Sequence, residues 1–85
     1  MIMELIETAE LMKSADYKNR FKAEYYQLDI RIKKLETFLD KYINHKLDFV
    51  PDCSILLLQT QLNAMKTYRD ILTRRAQIEN IDMKI

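Results

Sequence analysis

The sequence predicts an all-α fold: a long antiparallel helical hairpin with a short N-terminal helix, assembling as a homo-oligomeric helical bundle. Three observations carry this. The 85 residues contain no glycine and one proline, so little interrupts a helix. Apolar side chains recur by seven, as Phe21, Leu28, Leu35 and Tyr42 beside Tyr25, Ile32 and Leu39, and later as Leu58, Met65 and Leu72 beside Leu57, Ala64, Ile71 and Ile78. Positions i, i+4 and i+7 share one helix face. Between the two blocks stands a single segment with turn chemistry.

Residues 1–13 read as a short helix or arm, with Ile2, Leu5, Ile6, Ala9 and Met12 on one side. A helix of about a dozen residues is marginal alone and needs a surface to dock on. Ser14 or Asp16 caps the next helix, which runs over 17–44 and spans roughly 40 Å at 1.5 Å per residue. Residues 45–53 form the turn. Asn44 is expected to take the left-handed conformation that stops a helix, and Pro51 forces Val50 out of helical geometry. Leu47, Phe49 and Val50 are expected to fold over the end of the hairpin. Asp52 or Ser54 caps the last helix, 54–80. Its apolar band, filled out by Leu62 and Ala76, is wider than one partner needs, and Ile55–Leu58 is apolar on all sides. A single domain of this length has little core to spare. The band therefore points to a homo-oligomer, a dimer forming a four-helix bundle. The other arrangement is a monomeric three-helix bundle in which the N-terminal helix covers the excess.

Composition excludes several classes. Hydrophobic residues make up 48% of the chain, too many for general disorder. A net charge of +1 offers no overall field for DNA or anionic lipid. No apolar run approaches the ~20 residues of a membrane span, and Glu4, Glu7 and Glu10 do not belong in an ordinary signal peptide. The single cysteine, Cys53, cannot form an internal disulfide, which favours the cytosol. His45 and Cys53 do not make a metal site. Without glycine there is no phosphate loop and no nucleophile elbow. The expectation is a non-enzyme with no cofactor.

Beside the first apolar face runs a polar row, Arg20, Glu24, Gln27 and Arg31. On the last helix Gln61, Tyr68 and Arg75 repeat by seven, with Arg74 alongside. In an antiparallel hairpin Arg20 and Glu24 should approach Arg74 and Arg75, and Arg31 should lie nearer Tyr68. Two arrangements fit. One is a salt-bridged rim, each pair contributing a few tenths of a kcal/mol. The other is a pocket in which Arg20, Gln27, Arg31 and Arg75 hold phosphate or ribose while Tyr25 and Tyr68 stack on a base.

The run Asp16–Leu28, with its Arg-Phe-Lys-Ala-Glu-Tyr centre, resembles small uncharacterised proteins of crAss-like and other gut phages and their prophages. So does the later pattern Leu47-Asp48-Phe49, Pro51, Cys53, Gln61-Leu62, Ala64-Met65, Tyr68, Leu72, Arg75-Ala76 and Ile78-Glu79. The resemblance covers about residues 15–81. Relatives often carry Pro where this chain has Ser54 and Gly near Lys46. The resemblance implies the cytoplasm of a host bacterium and a counter-defence role. In that role a small oligomer sequesters a cyclic nucleotide or ADP-ribose-type signal, of the kind made by Thoeris or CBASS systems, without cleaving it. The rival readings are a helical inhibitor or adaptor that docks Ile55–Leu58 or its N-terminal helix on a host or phage protein, and a nucleic-acid accessory protein.

Overall fold

The structure is a computed structural model and describes residues 4–84. It contains three helices, α1 (Leu5–Met12), α2 (Tyr17–Ile43) and α3 (Ile55–Ile78), and no strand among the described residues. The bundle measures 43 × 24 × 21 Å. Both α1 and α3 pack on α2, which is the central element.

Side chains set the helix boundaries. The Asp16 carboxylate accepts the Lys18 N–H at 2.9 Å and caps α2, while Ser14 Oγ accepts from the Asp16 N–H and from Asn19. Ser54 Oγ accepts the Leu57 N–H at 3.1 Å and caps α3. Both helices stop at a left-handed residue, α2 with a pair of main-chain bonds around it and α3 with one. After α2 the Lys46 N–H reaches the Lys41 carbonyl at 2.8 Å and the His45 N–H reaches Tyr42. After α3 the Ile81 N–H reaches the Ala76 carbonyl at 2.9 Å. The turning residues are His45 (φ 56°) and Asn80 (φ 55°), at the position glycine most often takes. Asn44 does not turn left-handed as expected. Its side-chain amide instead donates to the Asp40 carbonyl at 2.7 Å, and the next residue turns.

The core joins Phe21, Leu28, Ile32 and Leu39 of α2 to Leu62, Leu72 and Ala76 of α3. Polar partners fix the register. Tyr17 meets Glu79, Asp29 meets Arg69, and Glu36 meets Lys66, so numbers rise on α2 as they fall on α3. Ile32 and Leu72 are fully buried, each contributing about 1.5–3 kcal/mol over an exposed position.

Two further details differ from the sequence expectation. Ile2 lies outside the described residues, but Ile6 is 81% exposed and Ala9 and Met12 face solvent. The helix turns Thr8 inward instead, with Leu5 and Leu11 half-buried. Thr8 Oγ1 donates to the Leu5 carbonyl at 2.6 Å and accepts from Gln27 Nε2 at 3.0 Å. Ala23, one turn before Gln27, is fully buried and presents no bulk to the approaching helix. A buried polar pair must be satisfied, and it sets the rotation of α1 against the apolar count. At the turn, Leu47 is half-buried and Phe49 packs on Phe38 (centroids 6.1 Å apart), while Val50 is 89% exposed. Beyond α3 the tail folds back: Ile81 is buried, Tyr26 donates to the Met83 carbonyl, and Lys22 donates to the Lys84 carbonyl.

Candidate functional site

The polar row of α2 begins beside α1 and ends, at Arg31, on a furrow lined by α1, α2 and α3. Its N-terminal members are engaged with their own chain. Arg20 donates to the Ser14 carbonyl at 2.9 Å, and Gln27 is held by Thr8. Across the furrow, Arg75 belongs to a closed cluster. It donates to Tyr17 at 2.8 Å and to Glu79 at 3.1 Å, Tyr17 donates to Glu79 at 2.8 Å, and the guanidinium lies 5.1 Å from the Phe21 ring centre. Hydrogen bonds from Tyr17 and Arg75 hold the Glu79 carboxyl below its ordinary range. The bond to Glu79 raises Arg75 further above its ordinary value, with Glu24 adding to the field.

Arg31 differs from its neighbours. Among the described residues it has no ion-pair or hydrogen-bond partner. It borders an open groove of about 410 Å³ with Leu5 of α1, Leu35 of α2, and Gln61 and Met65 of α3. Gln61 and Met65 line this groove from α3, and Tyr68 is not among its lining residues. Tyr68 is exposed on the same rim, seven residues from both Gln61 and Arg75.

Tyr25 lies elsewhere. It lines a separate open cleft of about 520 Å³ with Tyr26, Thr73, Gln77 and Met83, bordered on one side by the returning tail. Tyr25 and Tyr26 meet edge to face, 5.5 Å between centres. Burial, followed by the neighbouring Tyr25 and carboxylates, pushes the Tyr26 hydroxyl up. Burial alone would raise Asp29 nearby, but hydrogen bonds from Lys33 and Arg69 outweigh it and lower the carboxyl. The six residues singled out from the sequence therefore do not form one pocket within a protomer. Arg31 borders an open groove, Tyr68 stands on its α3 rim, Tyr25 is on the far side, and Arg20, Gln27 and Arg75 are bonded to their own chain.

The groove at Arg31 continues into a second cleft that sequence reasoning missed. Lys34 and Phe38 line both. The second cleft, about 540 Å³, adds Lys41, Lys46, Phe49 and one carboxylate, Asp48. Lys34, Lys41 and Lys46 have no ion-pair partner among the described residues. The left-handed turn at His45 brings Lys46 back beside Lys41 through the bond between their main chains. Arg31, Lys34, Phe38 and Lys41 follow i, i+3, i+7 and i+10 spacing, which continues the polar row toward the turn. That spacing was a readable signal. Lys46 had none, because its place depends on the left-handed residue before it. The result is a continuous open furrow about 15 Å long between Arg31 and Lys41, with four cations that have no ion-pair partner among the described residues around two aromatic rings, and the Asp48 carboxylate at its turn end. Chemically it can hold a compact polyanion with a flat apolar part: a guanidinium fork and ammonium groups for phosphate, and ring faces for a base.

No helix is long and apolar enough to cross a membrane among the described residues. The chain has no match among curated proteins or among solved structures. A protein-family model, Sequestin, matches residues 15–78. The match runs from just before α2 to the last residue of α3 and takes in every cation of the furrow, while α1 and the returning tail lie outside it. Covering three-quarters of the chain, this match shows that the protein belongs to the Sequestin family.

Proposed function

We propose that this protein is a phage counter-defence protein that binds and sequesters a nucleotide-derived immune signal, a cyclic nucleotide or ADP-ribose derivative, without cleaving it. The observation that carries the reading is the furrow, in which Arg31, Lys34, Lys41 and Lys46 surround Phe38 and Phe49 while net charge is only +1. A local cation cluster on a nearly neutral protein selects a small anion over a long nucleic acid, whose binding draws on extended positive surface. The family name is consistent with a sequestering role. In this reading Arg31 grips a phosphate bidentately, the lysines neutralise the remaining charge, and the phenylalanines take the base. The exposed apolar face of α3 supports a homo-oligomeric assembly.

Native mass spectrometry of the purified protein against cyclic dinucleotides and ADP-ribose derivatives tests this. The expected result is a retained ligand whose mass is unchanged when it is released by denaturation. Arg31→Ala should weaken binding about 10- to 100-fold with an unchanged melting temperature, since the side chain bonds to nothing within the chain. No retention across the panel would overturn the reading, and release of a shortened ligand would overturn sequestration in favour of catalysis.

A second reading rests on a different observation. Leu56, Leu57, Ile71 and Ile78 are all more than half exposed on α3, a surface on which a helical inhibitor or adaptor could dock another protein. One stoichiometric protein partner and no small ligand would favour it.

A further inference from the structure

The exposed side of α3 carries a seam of its own. Leu57, Gln61, Ala64, Tyr68, Ile71, Arg75 and Ile78 are all exposed. They follow one another at alternating spacings of four and three, the pattern by which one helix packs along another. The face turned to α2 uses different residues, Leu58, Leu62, Met65, Leu72 and Ala76. Helix α1 does not cover the seam, since it packs on α2. The seam is uncharged from Leu57 to Ile71, and Arg75 is its one ion.

We propose that this seam pairs with the same seam of a second copy, antiparallel about a two-fold axis at Tyr68. The inference deepens the homo-oligomeric reading above and rests on it. A two-fold contact must be self-complementary, and the order of residues meets that condition in one direction only. With Tyr68 on the axis, Ala64 faces the partner's Ile71, so small meets large at each crossing. Gln61 faces the partner's Arg75, whose Nε and Nη2 are already bonded to Glu79 and Tyr17 and whose Nη1 gains a neutral acceptor. Leu57 faces the partner's Ile78, closing both ends with apolar contact. In a parallel pair Arg75 would face the partner's Arg75, a like-charge contact. Ala64 would also face the partner's Ala64, leaving the middle underfilled. Charge and size both select the antiparallel arrangement, and a second copy of this chain is the occupant that supplies the matching order.

The pairing bears on the furrow. Gln61 lines the groove beside Arg31, so the partner's Arg75 comes to the α3 rim of that groove. Each protomer thus supplies Arg31 to its own furrow and Arg75 to the rim of the other, joining two residues that one chain holds apart.

Disulfide trapping in full-length protein reads the geometry. In a Cys53→Ser background, Leu57→Cys and Ile78→Cys are made as separate proteins, both at exposed positions, then mixed and oxidised. The expected result is a crosslinked dimer in the mixture and little in either alone. Crosslinking of each variant with itself would show a parallel pair and overturn the proposal. So would a parent protein that sediments as a monomer at high micromolar concentration. A charge test uses sedimentation too. Gln61→Lys, which sets ammonium against guanidinium, should weaken dimerisation at least tenfold, while Gln61→Glu should strengthen it and make it salt-sensitive. Equal behaviour of the two would overturn the register. Ligand retention is measured separately: a crosslinkable dimer that binds no nucleotide would remove the sequestering reading and leave the pairing intact.

Discussion

The two halves of α2 carry similar polar residues and use them in opposite ways. In the first half, Arg20 is bonded to the Ser14 carbonyl, Gln27 to Thr8, Asp29 to Arg69 and Lys33, and Tyr17 to Arg75 and Glu79. In the second half Glu36 pairs with Lys66, but the cations Arg31, Lys34 and Lys41 have no side-chain partner among the described residues. The first half is covered by α1 and the tail. The second is flanked by α3 and the turn, with Leu5 at the start of α1 on its border. The difference teaches that residue type and spacing do not by themselves distinguish a structural polar row from a binding one. What distinguishes them is whether another part of the chain arrives to satisfy the groups.

The sharpest break of this contrast is in the core both halves share. Ile32→Ala removes a fully buried side chain and should cost about 2–5 kcal/mol, seen as a large fall in the urea midpoint with both halves unfolding together. Separate transitions would show the halves to be independent. Next comes the N-terminal half alone. Thr8→Val leaves the Gln27 amide without its buried acceptor and should cost about 1–3 kcal/mol. Arg31→Ala and Lys41→Ala in the other half should each stay within about 0.5 kcal/mol of the parent. Equal losses by chemical denaturation would erase the distinction. A smaller effect is expected at the turn that places Lys46. His45→Gly relieves a left-handed conformation in a residue with a Cβ and should raise stability by roughly 1 kcal/mol or less. A destabilised variant would show that the His45 side chain matters more than its backbone.

The smallest effect is one of pH. Glu79 is held below its ordinary value of 4.5, so the stability it contributes is present above that value and is lost as pH falls through the lowered one. Thermal melts of the parent should therefore drop more steeply below pH 4.5 than those of Glu79→Gln. Parallel curves would show the Tyr17–Arg75–Glu79 cluster to be without weight. Because these groups are exposed, the difference is a small shift in melting temperature.

The helices were legible because burial imposes a period. Phe21, Leu28, Ile32 and Leu39 lie where the sevenfold rows put them, and the excess row on α3, Leu57 to Ile78, is exposed as the width of its band implied. Contacts that depend on distant partners were not legible. The inward turn of Thr8 depends on Gln27 and Ala23, nineteen and fifteen residues away, and it overrides the apolar pattern of α1. The separation of Tyr25 from Arg31 follows from about 120° of net helix rotation, six residues at about 100° each, once α3 chooses its seat. The tail clamp at Ile81 and Met83 left no period to read, since it follows from one left-handed residue, Asn80.

The left-handed stops at His45 and Asn80 also bear on how this chain can change over time. Each is tied by a main-chain bond to a fixed residue of its helix, Lys46 to Lys41 and Ile81 to Ala76. Inserting a single residue between Ile32 and Lys41 would swing the turn by about 100° around the axis, carrying Lys46 and Phe49 off the furrow while the remaining core stayed in place. Deletions would do the same in the other direction. Substitutions along the exposed faces leave that phase untouched. The hairpin should therefore drift freely in side chains while its helix lengths stay fixed, with length variation confined to residues 47–53, where no such bond sets the count.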